Sequence, residues 1–220
     1  MSLLLNIDTA VDTASVCLSK DTEVIKLTVN KNQKDHASWL HIAINEVIRD
    51  AGMTISNLNG VAISIGPGSY TGLRIGLSSA KGLCYALNIP LITVGTLEMM
   101  AHAVRNNLID LVCPLIDARR MEVFTAVYDN SFREVIKPCA MIVDKNSFAD
   151  FLSSHQIIFC GNGSIKLQSA ISHVNAKFDT SKATAADMVH LANTKFSEKK
   201  FSNLAYCEPL YLKEFHSSIR

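Results

Sequence analysis

The stretch 60–82, "GVAISIGPGSYTGLRIGLSSAKG", constrains the fold more than any other. It opens as a continuous apolar run, the pattern of a strand buried on both faces. It then turns through glycines into a segment with helical spacing, placed here at 72–87. Gly72 and Gly76 lie inside that helix, where each glycine costs roughly 1 kcal/mol relative to alanine. Two such residues imply that close backbone approach compensates. With Ala80 they recur every four residues, and Ser79 runs alongside, so the helix carries one stripe of small side chains. The stripe can pack on the chain's own sheet or lie against another helix at a flat interface, with Arg74 as a polar anchor at its edge. The turn matches neither common phosphate fingerprint. Gly66, Gly68 and Gly72 give G-x-G-x-x-x-G, and no glycine stands five before a Gly-Lys pair.

Around this segment the pattern alternates. "LLLNID" (3–8), "ASVCLSK" and "EVIKLTV" read as strands, and Asp35 can cap a helix over 36–51 that Gly52 stops. "PLITVG" is a further strand, followed by a short helix from Thr96 to Ala103. Strands followed by alternating helices and strands predict an α/β layer with a mixed sheet. Eight of the ten glycines precede residue 96, and the pattern restarts at "RNNLID" (105–110), which divides the chain into 1–104 and 105–220. The second half reads as paired strands "LVCPLID" and "MEVFTAVYD", a strand "PCAMIVD", a short helix "NSFADFLSS", a strand "QIIFCGNGS" ending in a turn, and a helix over 184–198. The tail 206–220 has no period and is expected to dock as an extended segment.

Composition narrows the function. Lys+Arg 21 against Asp+Glu 20 leaves a formal charge of +1, without the basic excess of a dedicated nucleic-acid binder. Six scattered cysteines without a C-x-x-C suit a reducing cytoplasm rather than a disulfide framework. No run approaches the roughly 20 apolar residues of a membrane span.

The remaining motifs are modest. "IDTAVDTAS" (7–15) puts Asp8 and Thr9 at a strand end followed by a turn without glycine. "CGNGS" (160–164) adds a second turn with Gly161 and Gly163. Clasped together, the two would make a nucleotide site; separately, each is a polar turn. "IDARRMEVF" (116–124) sets Arg119 and Arg120 on a hairpin, a solvated turn with an ion pair or a place where one arginine meets a partner or an anion. His36 and His41 are five apart, about 140° around a helix, so they do not share a face as metal ligands must. No Ser–His–Asp or Cys–His arrangement can be read from spacing.

"LNIDTAVDTASV", "SIGPGSYTGLRIGLSSAKGL", "PLITVGTLEMMA", "IDARRMEVF" and "EPLYLKEF", in that order, resemble the bacterial TsaB (YeaZ) family over nearly the whole chain. The resemblance implies an actin-like ATPase (ASKHA, RNase H-like) α/β fold of two related lobes, mixed sheets flanked by helices. It implies a non-catalytic subunit that binds TsaD and, with TsaE, supports threonylcarbamoyl transfer to N6 of adenosine 37 in tRNAs reading ANN codons. It also implies a homodimer when alone and contact with tRNA through the complex. The catalytic paralogue carries an H-x-x-x-H metal pair in its first long helix. Here the matching positions are His36 and Leu40, so no metal or cofactor of its own is expected, with ATP and metal on the partner subunits. The implied partner surface comprises His36, Trp39, Gly72, Arg74, Gly76, Ser79 and Ala80. Asp8, Thr9, Gly161 and Gly163 would be a vestigial nucleotide turn. The rival expectation is an ATPase or peptidase-type enzyme with its own site.

Overall fold

A computed structural model describes residues 1–30, 36–107 and 110–213, with His36 described by its backbone alone. The expected Asp35 cap lies outside these residues. The chain builds β1 (Leu3–Asp8), β2 (Ser15–Lys20), β3 (Glu23–Val29), α1 (His36–Asp50), β4 (Gly60–Ser64), α2 (Tyr70–Leu87), β5 (Leu91–Val94) and α3 (Thr96–Ala103). It continues with β6 (Leu111–Asp117), β7 (Glu122–Asp129), β8 (Glu134–Ile142), α4 (Ala149–Leu152), β9 (Ile157–Cys160), α5 (Ser164–Ala170), β10 (Ala176–Asp179) and α6 (Val189–Ser197).

Two five-stranded sheets result, ordered β3-β2-β1-β4-β5 and β8-β7-β6-β9-β10. In each, the first three strands in sequence pair antiparallel, and the last two add in parallel to the first. The halves therefore share one topology, and its repetition defines an actin-like α/β fold with two related lobes.

The alternation of strand residues assigns the layers. Leu5 and Ile7 of β1, with Val16 and Leu18 of β2, face α1 and α2, where Leu40, Ile44, Val47, Leu77 and Ala80 close the outer core. Leu4 and Cys17 face the other way, into a layer shared by both sheets and filled by α3 and α6. Met100 and Met188 pack there with Val112, Ile116 and Tyr128 of the second sheet. Thus α6, late in sequence, lies between the sheets, and Lys195 ties it to β5 by donating to the Thr93 carbonyl at 3.1 Å. Among the described residues, the second sheet covers its outer face with α4, α5 and the loops beside them, through Phe148, Leu152 and Leu167.

Several elements depart from the sequence reading. The second helix begins at Tyr70, two residues earlier than expected, because Ser69 caps it by accepting from the Gly72 N–H. The helix expected over 184–198 opens as a 3-10 turn, Ala185–Met188, before α6. Thr184 and Asp187 cap that turn reciprocally. Strand β8 starts four residues before "PCAMIVD". α5 (SIKLQSA) and β10 (AKFD) were not expected at all: neither carries a continuous apolar run of the kind that marks β9 (IIFC).

Candidate functional site

The seam between the lobes and the outer face of α1 and α2 are the two surfaces on which function can rest. At the seam, β1 delivers Asp8, fully buried. One carboxylate oxygen accepts from Ser64 Oγ and, at 3.0 Å, from the Ala10 N–H; the other has no partner among the described residues. Burial pushes the Asp8 carboxyl up to about 6, against the lowering effect of Ser64 and Ala10, and Asp187 adds a smaller upward push. Thr9 turns inward as well, its Oγ1 donating to the Gly72 carbonyl at 2.7 Å.

That contact explains the small-residue stripe. A Cβ carrying a side chain at Gly76 would come within 2.2 Å of Thr9 Oγ1 and 2.8 Å of Ile63 Cδ1, and one at Gly72 within 2.0 Å of the Thr9 carbonyl. Ala80 is fully buried in the same layer. The glycines thus let α2 lie directly on β1 and β4 of its own sheet. This corrects the expectation that Gly72, Gly76 and Ala80 meet a partner helix, since all three are covered within the chain. The other expected surface residues divide. Arg74 is exposed, Ser79 reaches His41 Nε2 at 3.5 Å, and Trp39 packs half-buried on the outer core; the side chain of His36 lies outside the described residues.

A second stripe, missed in the sequence, points outward. Ser78, Gly82 and Ala86 are exposed and four residues apart, and a Cβ at Gly82 would meet nothing within 4 Å. On the same helix Tyr85 is 83% exposed, and on α1 Ile42 is 58% exposed. The signal was present, for Gly82 is a third helical glycine and has no internal packing to compensate it.

The two candidate nucleotide turns do come opposite each other, but they are joined directly. Asn162 Nδ2 donates to Asp12 at 2.8 Å across the seam, and Asn162 Oδ1 accepts from the Asp117 N–H. Gly161, with φ of +86°, and Gly163 are required by close packing on Leu115 of the second sheet. Beside this bridge opens a cleft of about 930 Å³, bounded by Tyr70, Arg74, Arg119, Arg120, Tyr211 and Lys213. The tail forms one wall: the Leu210 N–H donates to the Ile65 carbonyl, and Arg74 Nε donates to the Tyr211 hydroxyl at 3.0 Å. Tyr211 and Lys213 were not singled out in sequence because only the tail's return path brings them here. Among the described residues, no three His, Cys, Asp or Glu side chains are grouped so as to hold a metal ion. Nor, among those residues, is any helix long and apolar enough to cross a membrane.

The two sheets and their seam define an actin-like α/β fold, and comparison with known proteins narrows it. The family model of TsaD, tRNA N6-adenosine threonylcarbamoyltransferase, matches residues 28–216. The chain is 34% identical over 137 residues to the tRNA threonylcarbamoyladenosine biosynthesis protein TsaB of Bacillus subtilis, covering 61% of this chain and 59% of that one. It is 36% identical over 130 residues to TsaB of Escherichia coli, covering 57% and 54%. The chain thus spans just over half the length of these curated relatives. The solved structure of YeaZ from Pseudomonas aeruginosa superposes with a TM-score of 0.84 at 25% identity, covering 96% of this chain and all of that one. The activator of 2-hydroxyisocaproyl-CoA dehydratase from Clostridium difficile shares the fold alone, at a TM-score of 0.52 and 9% identity over 91% of this chain and 98% of that one. The chain belongs to the TsaD family, in its TsaB (YeaZ) branch.

Proposed function

We propose that this chain is a non-catalytic scaffold subunit for threonylcarbamoyl transfer to N6 of adenosine 37 in tRNAs reading ANN codons. It binds TsaD and recruits TsaE, with ATP and metal held by those subunits, and in their absence it pairs with a second copy of itself in the cytoplasm. It can activate TsaD only by binding the active arrangement more tightly than the inactive one. Membership of the TsaB branch is one support. The observation that carries the interface is the outward face of α2, where Ser78, Gly82 and Ala86 lie exposed beside Tyr85, itself 83% exposed. Small residues at such a spacing admit a second helix closely, and the exposed Tyr85 beside them supplies an anchor.

The test is solution mass by light scattering, for the chain alone and mixed with TsaD from the same organism. A homodimer that exchanges into a mixed complex is expected, with Gly82→Arg abolishing both while the thermal unfolding curve stays that of a folded protein. A wild-type chain that ignores TsaD, or a Gly82→Arg variant that pairs at wild-type affinity, overturns the assignment.

A further inference from the structure

The cleft at the seam gathers charge that the chain as a whole lacks. Arg74, Arg119, Arg120 and Lys213 border it, against Glu122 as the single carboxylate among the described residues that line it, in a chain whose formal charge is only +1. Lys213 is paired with Glu122, whereas Arg119 and Arg120 make no ion pair among the described residues. Their backbone is unusual: φ is 72° at Arg119 and 48° at Arg120, successive non-glycine residues in the left-handed region. The hairpin tip is fixed there by Asp117, which accepts from the Arg119 N–H at 2.6 Å, and by the Glu122 N–H donating to the Arg119 carbonyl. Opposite stands an aromatic platform. The Tyr211 ring lies 5.2 Å from that of Tyr70, the Arg74 guanidinium sits 4.0 Å over Tyr70, and Tyr211 is 40% exposed.

We infer that this cleft seats an RNA strand, its phosphates against Arg119 and Arg120 and an unstacked base on Tyr211. Cations beside an exposed ring match RNA, whose every nucleotide carries a phosphate and a base together, better than an acidic peptide, whose carboxylates come without an attached ring. The inference rests on the proposed role in tRNA modification and gives that role a contact surface on this subunit. Binding by this chain alone is expected to be weak and strongly salt-dependent, because few phosphates are engaged.

The experiment is fluorescence anisotropy with a labelled tRNA transcript and the full chain across a salt series, with AMP as competitor. Arg119→Asn/Arg120→Asn keeps residues that tolerate a positive φ. It should weaken binding roughly tenfold and flatten the log–log salt slope by about 1.4, the loss of two phosphate contacts to a single strand. Tyr211→Leu should weaken binding without changing the slope. Lys177→Ala/Lys200→Ala removes equal charge from exposed positions outside the cleft and should change neither. Wild-type affinity in the double-asparagine variant overturns the inference, as does AMP binding without RNA binding. If that variant still pairs with TsaD while losing RNA, the scaffold role and the RNA seat both stand. If the wild type pairs with TsaD but never binds RNA, only the seat falls; RNA binding by a chain that ignores TsaD would sink the scaffold role instead.

Discussion

The two lobes repeat one strand order, yet corresponding positions within them behave oppositely. β1 ends at Asp8 and β6 at Asp117, and each carboxylate accepts from the N–H two residues on, Ala10 or Arg119. The turn is the same; the surroundings differ. Asp8 is sealed under α2 and Ser64, and burial raises its pKa to about 6. Asp117 is open to solvent. Its partial burial pushes its pKa upward, but Lys166 at 2.7 Å and the Arg119 N–H outweigh this and hold it below the usual carboxylate range. The turns after β4 and β9 are likewise G-x-G, with φ of +121° at Gly66 and +86° at Gly161. One opens an 18-residue helix and the other a seven-residue helix. Topology fixes the turns, and the length of the covering helix decides what the polar groups at the strand ends experience.

The largest expected effect tests that covering helix. Gly76→Leu must push α2 off Thr9 and Ile63, and overpacking of this kind costs about 3 kcal/mol or more. Gly82→Leu, on the opposite face, should leave stability within about 1 kcal/mol of wild type. Urea denaturation of the two variants gives the comparison directly. A Gly76→Leu midpoint equal to wild type would mean that the inward stripe is not packed as described.

Asp8 comes next. Its folded pKa, about 6, exceeds its ordinary value of 3.8, so the native state holds this proton more tightly than the unfolded chain. Stability from this group is fully present below about pH 3.8 and is lost as pH rises toward 6, a cost of about 3 kcal/mol at most at neutral pH. Asp8→Asn should therefore stabilise the protein at pH 7 by about 1–3 kcal/mol and change the pH dependence of unfolding between pH 4 and 6. Destabilisation at pH 7 instead would show that the charge has a partner.

These contrasts explain what could be read in advance. β1, α1, β4 and α3 were legible because each carries an unbroken apolar or helical period, and the two-lobe fold followed from the resemblance. The small-residue stripe was legible too, but not its direction: Gly72, Gly76 and Gly82 look alike in sequence, and only the position of Thr9 makes the first two inward. The basic cleft was half legible. Arg119 and Arg120 are adjacent in sequence, whereas Lys213 and Tyr211 join them through a chain return that no local pattern encodes. α5 and β10 failed for a different reason: Lys166 and Gln168 break up the apolar positions of one, and Lys177 and Asp179 those of the other, whereas β9 is apolar throughout.

Gly82→Ala sharpens the contrast between the two faces of α2 at smaller scale. Nothing lies within 4 Å of the added methyl, so the substitution should raise stability by about 0.5–1 kcal/mol through helix propensity alone. The same methyl lies on the face proposed for a second helix, so pairing should weaken as the protomer gains stability. Thermal unfolding at low protein concentration and light scattering at high concentration separate the two. A gain in both would remove Gly82 from the interface.

The smallest effect belongs to Asp117. Its carboxylate is 41% exposed, so screening limits the worth of its pair with Lys166 to about 0.2–1 kcal/mol. Because its pKa is lowered on folding, that contribution is present at neutral pH and is lost as pH falls below the ordinary carboxylate range, the reverse of Asp8. Asp117→Asn should thus cost a little at pH 7 and nothing at low pH, and it should also loosen the Arg119–Arg120 tip that the carboxylate holds. A double-mutant cycle with Lys166→Met isolates the ion pair. If the coupling persists unchanged in high salt, the pair is more sheltered than its exposure indicates, and the lobes differ less at these strand ends than their surroundings imply.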